Sequence, residues 1–220
     1  MNGLIKYMCI LAGLALAVSQ YFIWEYAPRE ATMGEVQRIF YFHLPFAWWA
    51  FVCFFLLFVS SIGVLAGKGM FWDHLAGACA EVGVLFTTLN LISGAAWAKG
   101  AWNTWWTWDP RLSTALIMWF VYCAYLVLRS GAAGSLKMRR ISAVVGIVAF
   151  LDVPLVFFSA RLWRSIHPAV FASKGGGLAP EMWHAVAVSV FAWGVMALVL
   201  LYLRTNQMRA MERIRQLNQG

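Results

Sequence analysis

The chain has 220 residues, of which 62% are hydrophobic and only 12% charged. Soluble domains carry roughly 25% charged residues, so the composition excludes an ordinary soluble globule and implies an integral membrane protein. The net charge of +8 is spread over short connections and the C-terminal tail, which argues for topology signals and anionic-lipid contact rather than a nucleic-acid surface.

Six apolar runs are long enough to cross a bilayer, which takes about 20 helical residues. They lie at about 4–24, 45–66, 75–97, 112–129, 141–159 and 183–203. The first, with Lys6 ahead of it and Tyr21, Phe22 and Trp24 at its end, reads as a retained helix with an interfacial anchor. The fold expected is all-α: a single six-transmembrane-helix bundle over residues 1–220, with both termini cytoplasmic. Lys6, Lys68, Arg129, Lys137, Arg139, Arg140, Arg204, Arg209, Arg213 and Arg215 fall on one side. Arg29, Arg38, Lys99, Arg111, Arg161, Arg164 and Lys174 fall on the other. The richer side is expected inside, with residues 204–220 as a basic cytoplasmic tail. Seven positive residues on the outer side ask for a reason, and an anionic ligand there would supply one.

The polar connections on the outer side are the long ones, at about 25–44, 98–111 and 160–182. The first ends in Arg38-Ile-Phe-Tyr-Phe-His43-Leu-Pro45, and the third contains Arg161-Leu-Trp163-Arg164-Ser-Ile-His167. Between them Trp97, Trp102, Trp105, Trp106 and Trp108 crowd one short stretch that ends at Asp109. Indoles favour places apolar on one side and wet on the other. Such a cluster is either a heavy interfacial belt or a platform for a large flat ligand. At helical spacing Trp102, Trp105, Trp106 and Asp109 share one face, so a short interfacial helix is expected. Asp109 and Pro110 also suit the N-cap and first residue of the fourth span.

Two imidazoles and an aromatic shelf on one side are what an iron porphyrin requires, since imidazole ligates haem iron axially and rings stack on the macrocycle. Arg111, Arg161 and Arg164 could grip its carboxylates; a helical turn would align Arg161, Arg164 and His167. The alternative is that these arginines are solvated or meet lipid headgroups. His184, beside Trp183, is a reserve ligand, and His74 reads as an inner-loop residue. Glu81 and Asp152 lie inside spans, where charge is costly and faces the bundle interior. Asp152 could accept hydrogen bonds freed by a Pro154 kink, or an Arg from beneath the Trp shelf. Cys9, Cys53, Cys79 and Cys123 all fall in apolar runs, with neither a CxxC nor a CxxCH motif, so thioether-bound haem is not expected. No ATPase motif is present.

The stretch Trp102-Asn-Thr-Trp105-Trp106-Thr-Trp108-Asp109-Pro-Arg111-Leu112-Ser113 resembles the WWD signature of the haem-handling proteins of cytochrome c maturation, W-G-x-x-W-x-W-D-x-R-L-T. It departs at Asn103, where Gly is usual, and at Ser113, where Thr is usual. Six spans, one His before the second and one before the sixth, are similar to the CcmC (haem exporter protein C) branch. That resemblance implies transient binding of haem b on the periplasmic face of the bacterial inner membrane. It implies His43 and His167 as axial ligands, and Trp102, Trp105, Trp106, Trp108 and Asp109 as the platform. It also implies the haem chaperone CcmE as recipient, and CcmA, CcmB and CcmD as complex partners. Two other readings use haem differently: an electron-transfer haem-b subunit, which would place its histidines inside helices, and a haem permease, which would need polar or broken helices at mid-depth.

Overall fold

The computed structural model describes residues 3–131, 135–163, 167 and 178–218. The described residues are helical apart from short connections and one isolated bridge between Glu30 and Gly34. Helix α1 covers Gly3–Tyr21 and continues as a wider turn over Phe22–Tyr26, closed by the Ala27 N–H on the Phe22 carbonyl at 2.9 Å. A tight turn at Glu35–Ile39 leads into α2, Phe40–Leu65. Then come α3 (Met70–Trp102), α4 (Pro110–Ser130), α5 (Leu136–Ala149), α6 (Asp152–Leu162) and α7 (Pro180–Leu217). Six of these stretches, with α5 and α6 counted as one, are long and apolar enough to cross a membrane.

The expected spans mark the apolar centres of these helices, and the helices run past them. α3 begins five residues earlier than the apolar run and ends at Trp102, so His74 is not a loop residue. It lies in the first turn of α3 and is buried. His43 likewise lies in the first turn of α2 rather than ahead of it. α7 has 38 residues, about 57 Å at 1.5 Å per residue, against about 30 Å of bilayer hydrocarbon. The basic tail is therefore a continuation of the last helix. The fifth span is broken, but not at Pro154: the break is the Phe150–Leu151 turn, and Pro154 falls in the first turn of α6, where a missing N–H costs nothing.

Helices α2 and α3 form the most extensive contact in the bundle. Small residues let them approach. A methyl group at Gly83 would meet the Phe54 ring at 2.4 Å, and one at Gly94 would meet His43 Cε1 at 2.9 Å. Between apolar helices in lipid, close packing replaces the hydrophobic drive available in water, which is why small residues gather at such contacts. Phe46, Cys53, Phe54 and Leu57 of α2 meet Ala78, Cys79, Val82 and Phe86 of α3 in the main core, and α4 adds Tyr122, stacked flat on Phe54. A smaller core joins Ile23 and Ala27 to Phe40, Tyr41, Met182 and Val186.

At the end of the bundle away from His43, ion pairs replace apolar contact. Arg129 of α4 grips Asp73 of α3 with both Nη atoms at 2.9 Å, and each side chain is largely buried. Arg204 of α7 pairs with Glu81, so that intramembrane acid has a cation after all. Asp152 shows neither the freed-backbone role nor the arginine role among the described residues, and its Oδ2 is buried without a hydrogen-bond partner.

The Gly83 contact gives a direct test. Gly83→Ala is expected to destabilise the protein by about 1–3 kcal/mol, the usual cost of overpacking. Gly13→Ala, whose added methyl meets nothing within 4 Å, is expected to have no such effect. Thermal unfolding of the two variants in detergent measures the difference.

Candidate functional site

α2, α3, α4 and α6 enclose a cleft of ≈ 720 Å³, counted with its open mouth. That is within the roughly 300–1,000 Å³ usual for ligand sites. Its lining mixes small residues such as Ala47, Ala50, Gly94 and Ala115 and larger apolar ones such as Phe51, Leu91, Met118 and Val156 with Trp97, Trp102, Trp106, Arg111, His43 and His167.

The two histidines meet here. Their ring centroids are 6.3 Å apart, with the planes inclined at 37°. Two imidazoles trans on one metal ion, each bonded at about 2 Å, have ring centres roughly 6 to 6.5 Å apart. His43 is oriented by α3. Its Nδ1–H donates to the Asn90 carbonyl at 3.1 Å and lies 3.2 Å from Ser93 Oγ, while Asn90 Nδ2 donates to the His43 carbonyl at 3.1 Å. With Nδ1–H engaged, the lone pair is on Nε2, which lies 3.4 Å from Asn90 Nδ2. Gly94 leaves room for the ring. On the other side, Trp97 lies 6.4 Å from the His167 ring and packs edge-on against Trp102 at 5.2 Å.

The Trp-rich segment is not the short helix its spacing suggests. α3 runs to Trp102 and stops at Asn103, whose φ of 56° and ψ of 22° are left-handed. Residues 103–109 then continue without helix. The left-handed geometry explains the residue at this position. Gly is usual in the WWD signature, and Asn is the other residue that adopts this conformation readily and ends helices in it. Lys99 Nζ holds it by donating to Asn103 Oδ1 at 2.7 Å. The indoles therefore do not share one face. Trp102 and Trp106 line the cleft; Trp105 and Trp108 are 61% and 79% exposed and do not. The Nε1 donors of Trp97 and Trp106 are buried without an acceptor, as happens where a ligand supplies one.

Asp109 caps α4, accepting the Arg111 N–H at 3.0 Å, with Pro110 as the first helical residue. Arg111 thereby lies at the cleft, in the first turn of α4. α6 ends at Leu162 with Trp163 extended, so no continuous helix aligns Arg161 with His167. Arg164 and the side chain of Arg161 lie outside the described residues. His184 is away from the cleft, hydrogen-bonded to the Tyr26 hydroxyl at 2.9 Å. The cations expected on the outer side also prove less in need of a ligand than their count suggests. Arg38 pairs with Glu35, Arg29 lies 3.7 Å from the same carboxylate, and Lys99 is held by Asn103.

Asn90, Ser93 and Trp97 are site residues that the motif does not reveal. Asn90 had one signal, an amide in the middle of an apolar span. Trp97 had the Trp cluster it begins. Ser93 had none.

Comparison with known proteins gives the family. The model of the family described as heme exporter protein C matches residues 1–219. The chain belongs to the heme exporter protein C family. Among its relatives, the putative cytochrome c biosynthesis ccmC-like mitochondrial protein of Marchantia polymorpha is 30% identical over 177 residues, 79% of this chain and 72% of the relative. The heme exporter protein C of Escherichia coli (strain K12) is 27% identical over 209 residues, covering 93% and 83%. That of Rhodobacter capsulatus is 27% identical over 215 residues, covering 96% and 89%.

The turn at Asn103 is expected to discriminate sharply among substitutions. Asn103→Gly should leave the protein unchanged. Asn103→Val, β-branched in left-handed backbone, should lose on the order of 1–2 kcal/mol and change the near-ultraviolet circular dichroism of the tryptophans. Equal behaviour of the two variants would show that the backbone here is not left-handed.

Proposed function

We propose that this member of the heme exporter protein C family holds haem b as a transient cargo in the slot between His43 and His167. The cargo would be held on the periplasmic face of the bacterial cytoplasmic membrane, with both termini in the cytoplasm, and passed to the haem chaperone CcmE. CcmA, CcmB and CcmD would be its partners in the assembly, and any ATP use would be theirs. The observation that carries the reading is the pair of imidazoles 6.3 Å apart at the rim of a slot with an aromatic edge.

The chain's own residues divide the work. His43, fixed through Nδ1 by Asn90 and Ser93, offers Nε2 to one face of the iron; His167 offers the other. Trp97, Trp102 and Trp106 would flank the macrocycle, and the small residues Ala47, Ala50 and Gly94 leave room for it. Arg111 is placed for a propionate, and a bidentate Arg–carboxylate contact contributes on the order of 1.5–3 kcal/mol. Arg161 and Arg164 are kept as further candidates for the second propionate. Trp105 and Trp108, exposed beside the mouth, are assigned to presentation of the cargo rather than to its retention.

The visible spectrum tests this. His43→Ala and His167→Ala should each lose the low-spin bis-imidazole spectrum of bound haem, and His74→Ala and His184→Ala should keep it. Added imidazole should restore it to His43→Ala. Wild-type spectra from both single variants would overturn the ligand assignment.

The tryptophans should separate into two classes. Trp97→Leu or Trp106→Leu keeps apolarity but removes a ring at the slot, and should weaken haem retention several-fold, in line with aromatic contacts of about 0.5–1.5 kcal/mol. Trp105→Leu and Trp108→Leu should retain haem and slow its transfer to the chaperone. Equal retention by all four variants would reduce the cluster to a membrane belt.

A further inference from the structure

The end of the bundle opposite His43 contains a second cavity, of ≈ 970 Å³ counted with its open mouth, and the haem reading makes no use of it. It lies between α4 and α7, which do not form a packed pair among the described residues: α4 packs on α3, α5 and α6, and α7 on α1, α2 and α3. Four arginines line it, Arg129, Arg139, Arg204 and Arg215, against three carboxylates, Asp73, Glu81 and Glu212. The surplus is one positive charge.

The carboxylates are already engaged. Asp73 is held by Arg129 and Glu81 by Arg204, while Glu212 is shared by Arg139 at 3.0 Å and Arg215 at 3.2 Å. Sharing one carboxylate between two guanidiniums, each with five N–H donors, leaves donors in excess. Arg215 makes that one contact through Nη1 and is 39% exposed at its side chain. Beside this group His74 also lines the cavity. It is 8% exposed, and its Nδ1 is buried without a hydrogen-bond partner. Its charged neighbours are Asp73, Glu212, Arg129 and Arg139. An unsatisfied buried polar atom costs about 1–3 kcal/mol unless something supplies its partner. Leu126, Met208 and Met211 complete the wall with apolar surface.

We propose that this cavity binds the phosphodiester headgroup of a net-anionic membrane phospholipid. A phosphodiester carries the single negative charge that the surplus calls for. Its oxygens accept from Arg139 and Arg215 and meet the His74 imidazole. The gap between α4 and α7 admits an acyl chain along Leu126 and Met208. Basic pockets between helices at a membrane surface bind anionic headgroups in this way. The site is independent of the haem reading.

The test uses the full chain in a neutral detergent, with binding of phosphatidylglycerol and phosphatidylcholine followed by native mass spectrometry. One phosphatidylglycerol should bind at least tenfold more tightly than phosphatidylcholine. Arg215→Gln and His74→Phe should each weaken it roughly tenfold, the cost of a charge-assisted contact. Arg213→Gln, on the same helix but outside the cavity, should not. Thermal unfolding checks each variant's fold, and the exposed Arg215 carries the test if His74→Phe unfolds. Competition by millimolar inorganic phosphate would assign recognition to the oxyanion alone; failure to compete would assign it to the whole lipid. No phosphatidylglycerol binding, or equal binding by wild type and Arg215→Gln, would overturn the proposal. So would an equal loss in Arg213→Gln, which would mark diffuse surface charge.

Discussion

The close approach of α2 to α3 is the constraint on which the rest depends. It exists because Gly83 and Gly94 present no side chain to Phe54 and His43. At that separation the His43 ring reaches the Asn90 carbonyl on the neighbouring helix, and the residue lines the cleft. A larger residue at either glycine would change the distance between two helices and, with it, the direction of one imidazole. Packing and site chemistry are therefore the same contact seen from two sides.

Charge holds the other end. A bidentate Arg129–Asp73 pair is expensive to desolvate, and removing one partner of a buried pair typically costs 3–5 kcal/mol. Such pairs specify an arrangement more than they stabilise it. Here they fix α4 against α3, and Arg204–Glu81 and Arg139–Glu212 tie the long α7 to α3 and α5. The apolar cores alone would leave these helices free to rotate, because lipid is as apolar as leucine and offers no penalty for exposure.

The six spans were legible because lipid demands apolar length, and that demand is written residue by residue. Helix ends were less so: α3 and α7 continue into water on charges and ion pairs that a hydropathy reading counts as loop. The WWD stretch announced the cleft, yet its spacing misdirected the local geometry. Helical periodicity in Trp102, Trp105 and Trp106 means nothing once Asn103 has turned the chain left-handed, and a single Asn carries too little signal to show it. His43 and His167 could be named from their aromatic and proline surroundings, but their partnership is a fact of three dimensions. Asn90 and Ser93 come from a helix forty-odd residues away from His43, and only the α2–α3 contact brings them together. Pro154 drew attention as a kink, whereas the chain bends before it, at a turn with no distinctive residue.

α3 touches both ends of the molecule. Its 33 residues hold Asp73 and His74 near the start, and Asn90, Ser93 and Gly94 about four to six turns later, with no proline between. At about 1.5 Å per residue it is a beam roughly 50 Å long. A beam pivoting near its middle moves both tips together: a 5° tilt displaces each by about 2 Å, close to the length of a bond to iron. The residues that hold His43 and those that meet Arg129 are thus carried on one helix, and a tilt of the whole helix would move both.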